Sequence, residues 1–270
     1  MPERSARRRP ASRGELLAVD IGNSDTVVGR FRGEALDGFW RLTSGRLTAD
    51  EAGLLLGLLL GHAPGRRRAA GGRSAVLCSV VPSLTSAWSA ALERLTGHAP
   101  LEVSAEGVGG LLPIRYHDPG SVGADRIANA LAVRALYGVP AIVVDLGPAT
   151  TFDCVSRRGE YLGGAIAPGV GTSAEELFRR AARVPRVELR PPRRALGRTT
   201  EEALRSGVLW GAAGQVDALV RRLARELGSK PRVIATGGWA RIVAPECETV
   251  EAVDEGLTLK GMRVLWAERA

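Results

Sequence analysis

Short apolar runs alternate with amphipathic segments along the first half of the chain, and turn-forming residues separate them. The pattern opens with two strands joined by a turn from residue 16, followed by a third strand around residues 38–42. Thr48 and Glu51 have the spacing of a capping box, which predicts the start of a helix reaching residue 60. The elements that follow are a strand at 75–80, a helix at 82–96 and a strand at 101–103. Strands that alternate with helices predict an α/β architecture.

The second half repeats the alternation after a glycine-rich passage at residues 107–110. A helix is predicted over residues 123–137, because Ile127, Leu131 and Ala135 recur at four-residue spacing. The remaining predicted elements are a hairpin at 141–155, a helix capped by Ser173 and Glu176 that runs to about 183, a mobile Pro/Arg-rich loop at 186–194, a long helix opened by Thr199 and Glu202 that ends near 228, a strand at 233–238 and a helix from about 256.

Two of the apolar strands end in the same motif. The first, at residues 16–24, carries Asp20-x-Gly22, and the second, at residues 141–151, carries Asp145-x-Gly147. A carboxylate followed by a glycine turn lies beside exposed backbone N–H groups, which bind phosphate, and it can hold a hydrated cation. A single copy is explained as well by an ordinary hairpin turn. Two copies favour a duplicated domain that grips a nucleotide phosphate chain between its halves.

Composition restricts the classes of partner. Of 270 residues 45% are hydrophobic, which supports a large core, and 4% are aromatic, which argues against a surface that stacks nucleic acid bases. The net charge is +8, but residues 1–14 contribute five arginines and one glutamate, so half of the excess lies in a short tail. We expect this basic tail to be disordered, and we consider nucleic acid an unlikely partner.

Three cysteines and three histidines are scattered without the spacing of metal ligands. A reduced, cytoplasmic protein is therefore expected. The longest apolar stretch, residues 54–60, is too short to span a bilayer and predicts a core helix, so no membrane association is expected.

The ordered set of motifs resembles type III pantothenate kinase, a family of the actin/sugar kinase/Hsp70 superfamily. The matching pieces are Asp20-x-Gly22-Asn23-Ser24, Tyr116 with Pro119-x-x-Val122-Gly123-Ala124-Asp125-Arg126, Asp145-x-Gly147-x-Ala149-Thr150-Thr151-x-Asp153, Gly163-Gly164-x-Ile166-x-Pro168-Gly169, and Thr200 with Ser206-Gly207. The resemblance covers residues 16 to about 260. It implies an α/β, duplicated ribonuclease H-like architecture of two domains with mixed sheets and flanking helices. The implied division is a tail at 1–14, a nucleotide-binding domain at 15–112 and a second domain at 113–270.

The resemblance implies an activity: ATP-dependent phosphorylation of pantothenate to 4′-phosphopantothenate, the first step of coenzyme A synthesis. It also implies Mg²⁺ with ATP, a monovalent cation (K⁺ or NH₄⁺), and a homodimer with the active site at its interface. Two alternatives stay open. The chain is another small-molecule kinase of the superfamily, or it is a catalytically weak member that acts as a regulatory binding protein, as the name Bvg accessory factor suggests for some relatives.

The resemblance assigns roles by position. Asp125 is the expected catalytic carboxylate, Asp145 the expected ligand of the monovalent cation, and Asp20 the expected ligand of Mg²⁺ through water. The ATP-binding residues are expected to be Asp20, Ile21, Gly22, Asn23, Ser24, Asp25, Thr26, Val27 and Pro148. The pantothenate-binding residues are expected to be Tyr116, Gly123, Ala124, Asp125, Arg126 and Thr200.

Each assignment has a simpler structural alternative. Asp125 complements a helix N-terminus equally well, Arg126 suits a surface ion pair, and Thr200 lies next to a helix cap. Pro148 departs from the family pattern, which has threonine there. Proline offers neither a hydroxyl nor a backbone N–H, so one nucleotide contact is expected to be missing.

Overall fold

The computed structural model describes residues 14–61, 73–181 and 185–269. Residues 1–13 of the predicted disordered tail lie outside this range. The chain divides into two compact units. One contains the described residues up to Glu102 and those from Trp266 onward, and the other is Val103–Leu265. Within the second unit, the Arg134 side chain donates a hydrogen bond to the Leu111 carbonyl.

The first unit is built on a five-stranded mixed sheet whose strand order is β3-β2-β1-β4-β5. Two helices follow the hairpin strands, and the capping box of the first is present, since Thr48 Oγ1 accepts from Glu51 N–H while Glu51 accepts from Thr48 N–H. The elements are β1 (Glu15–Ile21), β2 (Asp25–Arg32), β3 (Ala35–Thr43), α1 (Ala49–Leu59), β4 (Arg73–Ser79), α2 (Pro82–Thr96) and β5 (Leu101–Glu102).

The second unit carries a five-stranded sheet of its own, in the order β10-β9-β6-β7-β8. Its elements are α3 (Ala105–Val108), α4 (Ala124–Leu136), β6 (Ala141–Leu146), β7 (Ala149–Val155), β8 (Tyr161–Pro168), α5 (Val170–Arg180), α6 (Thr200–Glu226), β9 (Arg232–Thr236), α7 (Ala240–Val243), β10 (Ala252–Val253) and the part of α8 (Leu257–Arg269) that ends at Leu265. Single 3-10 turns occupy Gly109–Leu111, Pro119–Ser121 and Ala244–Glu246.

The two sheets have the same topology, which confirms the predicted duplication. In each, three consecutive strands pair antiparallel, and the first of them also pairs in parallel with a later strand. Asp20 and Asp145 occupy the same place, the last but one residue of the first strand. Asp20 pairs in register with Cys78 of the parallel strand, and Asp145 pairs with Thr236. The repeated Asp-x-Gly motif therefore marks one position in a repeated fold.

Each unit has its own apolar core. In the first, alternate residues of β1 pack with α1 and α2 around the fully buried Trp88. In the second, Ile142, Val144 and Leu146 of β6 point to the face covered by α5, α6 and α7. The neighbouring residues of β6 point to the opposite face, toward α4, because strand side chains alternate. This alternation separates an apolar face from the face that carries the polar chemistry.

One helix begins earlier than predicted. α5 starts at Val170 with Gly169 as its N-cap, and Ser173 donates its N–H to the Gly169 carbonyl from within the first turn. The prediction that Ser173 and Glu176 cap this helix is therefore wrong. Glu176 instead pairs along the helix surface with Arg179 and Arg180. The spacing of a capping box was present, but β8 leads directly into the helix, so no free turn remains at Ser173.

Among the described residues, no helix combines the length and the apolar composition that crossing a membrane requires.

We predict that Gly261→Ala destabilises the second unit. A Cβ at Gly261 of α8 would overlap the carbonyl oxygen of Ala128 on α4, so the helices must separate at a cost of about 1–3 kcal/mol. The measurement is the urea midpoint of the wild type and the variant. The control is Gly214→Ala on α6, where nothing lies within 4 Å and helix propensity favours alanine by up to about 1 kcal/mol. Equal midpoints for Gly261→Ala and the wild type would contradict this packing.

Candidate active site in the second unit

The polar face of the second sheet lies against α4. Val143 pairs with Asp153 and Asp145 pairs with Thr151 across β6 and β7, so Asp145, Thr151 and Asp153 share one face. Phe152 and Cys154 point to the opposite, apolar face. Two carboxylates are therefore fixed by strand register beside one helix.

Side chains on one face of α4 donate hydrogen bonds to both carboxylates. Arg126 Nε donates to Asp153 Oδ1 at 2.7 Å, and Asn129 Nδ2 donates to Asp145 Oδ2 at 3.2 Å. Arg126 and Asn129 are three residues apart, the spacing that places helix side chains side by side. Thr258 Oγ1 of α8 donates to Asn129 Oδ1 at 2.9 Å and orients the amide. These bonds fix how α4 lies against the sheet.

The Tyr161 ring lies against the guanidinium of Arg126, and the Tyr116 ring packs on Tyr161. The Tyr161 hydroxyl donates to Asp153 Oδ1 at 2.9 Å, and the Arg126 guanidinium carbon lies 5.9 Å from the centre of the Tyr161 ring. The Tyr116 ring tilts against the Tyr161 ring, with centroids 6.4 Å apart. Burial is the largest single influence and disfavours the charged guanidinium, but the charge and hydrogen bond of Asp153 together with the two tyrosines outweigh it and raise the pKa of Arg126. Arg126 is thus a permanently charged group with an aromatic ring on one side.

Backbone pairing places Tyr116 at the edge of the sheet. Arg115 donates its N–H to the Tyr161 carbonyl at 2.8 Å, and Tyr161 donates its own to the Pro113 carbonyl at 2.9 Å. The Tyr116 ring then lies over Gly163, whose φ is +99°. An added Cβ at Gly163 would lie 2.9 Å from the ring, so glycine is required both by the backbone conformation and by the close approach.

Asp125 lies in the first turn of α4, next to Arg126, and is half-buried. Desolvation raises the pKa of its carboxyl above the usual range. The Arg126 N–H, which donates to Asp125 Oδ1 at 2.8 Å, opposes that shift, as does the guanidinium charge. A carboxylate that burial makes more basic, yet still reachable from solvent, suits proton acceptance.

The second Asp-x-Gly turn is closed on one side. The Pro148 carbonyl accepts hydrogen bonds from Thr172 Oγ1 at 2.7 Å and from Gly169 N–H at 3.1 Å. The N-terminus of α5 therefore fastens this turn. Asp145 is enclosed as well, because a Cβ at Gly237, where φ is +92°, would overlap Asp145 Oδ1. Glycine at 237 is what allows the β9 turn to approach the carboxylate.

The first Asp-x-Gly turn lies in the other unit and is held from within. Gly22 donates its N–H to the Asp25 carbonyl at 2.9 Å, and Ser44 Oγ donates to the Gly22 carbonyl at 2.7 Å. The Ser44 hydroxyl also bonds the buried Thr26 hydroxyl at 2.9 Å. Asn23 and Ser24 form the exposed tip of the turn. The tip thus presents polar groups while Thr26 holds the loop.

The other predicted residues of that loop divide in the same way. Asp25 pairs with Arg41 at 3.0 Å on the surface, and Val27 is half-buried in β2. Ile21 is a fully buried core residue whose carbonyl accepts the Val80 N–H at 3.0 Å. Asp20 is half-buried at the end of β1, at the entrance to the turn.

Thr200 lies apart from the other predicted substrate residues. It is the first residue of α6, after the N-cap Thr199, and it lines a groove between α5 and α6 of about 550 Å³. The groove is mainly apolar and includes Leu177, Leu204 and Gly207. Neither Asp125 nor the side chains around Arg126 are among its lining residues.

Each of the two metal sites predicted from the sequence contains one protein carboxylate. No group of three or more His, Cys, Asp or Glu side chains suited to a metal ion occurs among the described residues. Mg²⁺ in kinases takes one or two protein carboxylates and completes its shell with substrate phosphates and water. The single carboxylate of Asp20 fits that mode, and Asp145 likewise has a single carboxylate at the end of its strand.

The structure brings together five of the predicted residues, Tyr116, Gly123, Ala124, Asp125 and Arg126, at the start of α4 and beside β8. The sequence alone assigned no role to several residues that shape this site: Asn129, Asp153, Tyr161, Gly163 and Thr258. Two of them had a usable signal. Asn129 follows Arg126 at helical spacing, and Asp153 lies two residues from Thr151 on a strand that also pairs with Asp145.

Solved structures identify the class to which this fold belongs. The chain resembles a putative Baf family transcriptional activator from Campylobacter jejuni, with a TM-score of 0.59 and 21% identity over 94% of this chain and 98% of the other. It resembles MreB 5 of Spiroplasma citri bound to AMPPNP, with a TM-score of 0.52, 12% identity, and coverage of 93% and 95%. It also resembles a ROK hexokinase from Thermus thermophilus, with a TM-score of 0.50 and 13% identity over 95% of this chain and 100% of the other. The fold is that of the actin and sugar kinase class.

Sequence comparison narrows the class to a family. The profile of type III pantothenate kinase matches residues 16–222. The chain is 47% identical to type III pantothenate kinases of Moorella thermoacetica and Acidothermus cellulolyticus, in each case over 252 residues. The alignments cover 93% of this chain and 98% and 97% of those relatives. This chain belongs to the type III pantothenate kinase family.

Proposed function

We propose that this chain transfers the γ-phosphoryl group of ATP to the hydroxyl of pantothenate, giving 4′-phosphopantothenate and ADP, the first step of coenzyme A synthesis. One observation carries the proposal. A half-buried carboxylate, Asp125, lies beside an arginine that a buried ion pair holds in place. This pair supplies a base and a fixed cation within one turn of helix.

Asp125 acts as the general base. An alcohol is a poor nucleophile, so a carboxylate within hydrogen-bond reach accepts its proton as the phosphoryl group arrives. The pantothenate oxygen bonds to the γ-phosphorus, the bond from that phosphorus to the ADP oxygen breaks, and the hydroxyl proton passes to an Asp125 oxygen. The raised pKa of Asp125 makes the carboxylate a better acceptor for that proton.

Arg126 and Tyr116 bind pantothenate. Pantothenate carries a carboxylate, and the guanidinium is a planar fork that matches a carboxylate with two parallel hydrogen bonds. Tyr116 is 40% exposed, so its ring offers an apolar surface next to that cation. Gly123 and Ala124 form the start of α4, where a narrow backbone lets the substrate approach Asp125.

The nucleotide is bound by the turn at residues 20–27 and by the turn at Pro148. The exposed Asn23 and Ser24 offer polar groups to the phosphates. Asp20 would hold Mg²⁺ through water, and Asp145 would hold a K⁺ or NH₄⁺ ion. When bound, Mg²⁺ neutralises charge on the phosphates.

The active unit is a homodimer whose active site lies at the interface, in the cytoplasm. The position of Thr200 supports this proposal. Thr200 lines an apolar groove that Asp125 and Arg126 do not line, so a substrate contact by Thr200 is readily explained if it reaches the active site of a partner chain. An apolar groove along α5 and α6 is also a suitable surface for self-association.

We predict that Asp125→Asn lowers pantothenate-dependent ADP release at least about a hundredfold, because an amide accepts no proton. The assay contains purified protein, ATP, Mg²⁺ and K⁺, with and without pantothenate. Asp50→Asn is the control, since Asp50 is exposed and pairs with Arg94 on the surface of α1, where an ion pair contributes little. Equal rates for Asp125→Asn and the wild type would remove Asp125 from the mechanism. Absence of pantothenate-dependent turnover in the wild type would favour the regulatory binding protein.

We predict that Pro148→Thr lowers the KM for ATP about 2- to 10-fold, the range expected for one regained hydrogen bond. Pro148→Val separates the two missing groups, because valine has the shape of threonine and restores the backbone N–H without the hydroxyl. An intermediate KM for Pro148→Val would assign part of the gain to the N–H. If neither variant changes the KM for ATP, Pro148 does not weaken a nucleotide contact.

We predict that Gly207→Arg dissociates the homodimer and lowers activity at least about tenfold. Gly207 lines the α5–α6 groove, and no atom lies within 4 Å of its Cβ position, so the folded chain accepts a side chain there while the groove is filled. Sedimentation velocity measures the state of association. Gly214→Arg on the same helix, also without neighbours within 4 Å, does not line the groove and is the matched control. A Gly207→Arg dimer with full activity would exclude this groove as the interface.

A further inference from the structure

Asp153 is a buried carboxylate for which the phosphoryl transfer step has no direct use. Its side chain is fully buried in β7. Burial raises the pKa of Asp153 to about 6, while Arg126 and the Tyr161 hydroxyl oppose that shift. A buried charge is expensive unless it is paired and hydrogen-bonded. Asp153 is adjacent in sequence to core residues of β7. We therefore expect its buried charge to hold another group in place.

Both strong donors to Asp153 converge on one oxygen. Arg126 Nε and the Tyr161 hydroxyl each donate to Oδ1, at 2.7 and 2.9 Å, whereas Thr151 Oγ1 lies 3.4 Å from Oδ2. Desolvation and the neighbouring Asp153 charge raise the pKa of Tyr161, so its hydroxyl keeps its proton and stays a donor. Tyr161 also lies under the guanidinium, so one residue contacts Arg126 directly and through Asp153.

The hydrogen bond from Nε determines which N–H groups of Arg126 can still bind a ligand. Among the described residues, the Arg126 side chain makes one hydrogen bond, from Nε to Asp153 Oδ1. The edge of the guanidinium that carries Nε is therefore taken. The end that carries the two terminal nitrogens is left for a ligand, and that end offers two parallel N–H groups to a carboxylate.

Asp153 also keeps Arg126 away from the base. Without Asp153 the guanidinium would remain a largely buried cation, and the Asp125 carboxylate, on which the Arg126 charge already acts, would be available as a partner on the same helix. An ion pair between Arg126 and Asp125 would have two effects. The Asp125 carboxylate could no longer accept the proton, and the Arg126 guanidinium could no longer bind the substrate. The two acids thus have separate tasks: one neutralises the arginine and the other accepts the proton.

We propose that Asp153 and Tyr161 are a positioning pair that orients Arg126 end-on toward the pantothenate carboxylate and keeps it from pairing with Asp125. The inference rests on the proposed function and deepens it, because it makes recognition of the substrate carboxylate depend on two residues that do not touch the substrate. Selectivity for an acid over a neutral analogue then originates in the sheet, one layer behind the binding surface.

The test is isothermal titration of pantothenate, and separately of ATP with Mg²⁺, into the wild type and Asp153→Asn. We expect Asp153→Asn to weaken pantothenate binding at least about tenfold, in line with the loss of one oriented, charge-assisted contact, while ATP binding changes less than about twofold. Turnover should show the same division between the KM for pantothenate and the KM for ATP.

A second variant covers the case in which Asp153→Asn does not fold. Tyr161→Phe keeps the ring beneath Arg126 and removes the hydroxyl, so pantothenate binding should weaken about threefold with ATP binding unchanged. Asp217→Asn is the matched control, because Asp217 is another buried carboxylate of the same unit, bonded to Glu248 N–H at 3.0 Å and Thr249 N–H at 2.9 Å. It should change neither affinity, whatever it does to stability.

Three results would overturn the proposal. Pantothenate binding by Asp153→Asn as tight as in the wild type would show that Arg126 needs no positioning. Tighter binding would mean that Asp153 acts by repelling the substrate anion. Equal losses for ATP and pantothenate would indicate a purely structural role. A wild type that neither binds nor phosphorylates pantothenate refutes the proposed function itself, and the inference falls with it.

Discussion

The attachment of α4 to the second sheet is the constraint on which the proposed site depends. Arg126 pairs with Asp153 and Asn129 with Asp145, so two polar contacts three residues apart on the helix meet two carboxylates on adjacent strands. The helix between and around them is rich in alanine, which lets it lie close to the strands. A buried ion pair adds little net stability, since desolvation offsets most of the attraction. Its effect is positional, because one register of helix against sheet satisfies both carboxylates.

That register sets the chemistry at the start of the helix. With Arg126 fixed through Nε, the preceding residue, Asp125, is held in the first turn by the hydrogen bond that it accepts from the Arg126 N–H. Burial makes its carboxyl more basic, and the adjacent charge limits that effect. The same sheet edge carries Tyr116 over Gly163, so the aromatic wall, the cation and the base are positioned by strands rather than by a free loop.

The duplicated fold is used unequally. Both units repeat one topology and place an aspartate at the same strand position. In the first unit the following turn has an exposed polar tip, supported from below by Ser44. In the second unit, Pro148 and the start of α5 close the turn, and Asp145 is engaged by α4. In the second unit the Asp-x-Gly turn therefore supports α4, whereas in the first unit the tip of the turn is exposed.

The sequence by itself determined the elements and their class, because local rules govern them. The capping box at Thr48, the N-cap at Thr199 and the strand alternation around Asp20 and Asp145 were confirmed. The cap predicted at Ser173 was wrong, since the end of β8 starts the helix earlier. Only the tertiary structure decided the partners: Asp153 for Arg126, Asn129 for Asp145, and Gly163 and Gly237 where another group approaches closely. Such contacts join residues far apart in the chain, and their geometry depends on strand register and helix packing, which no local pattern encodes.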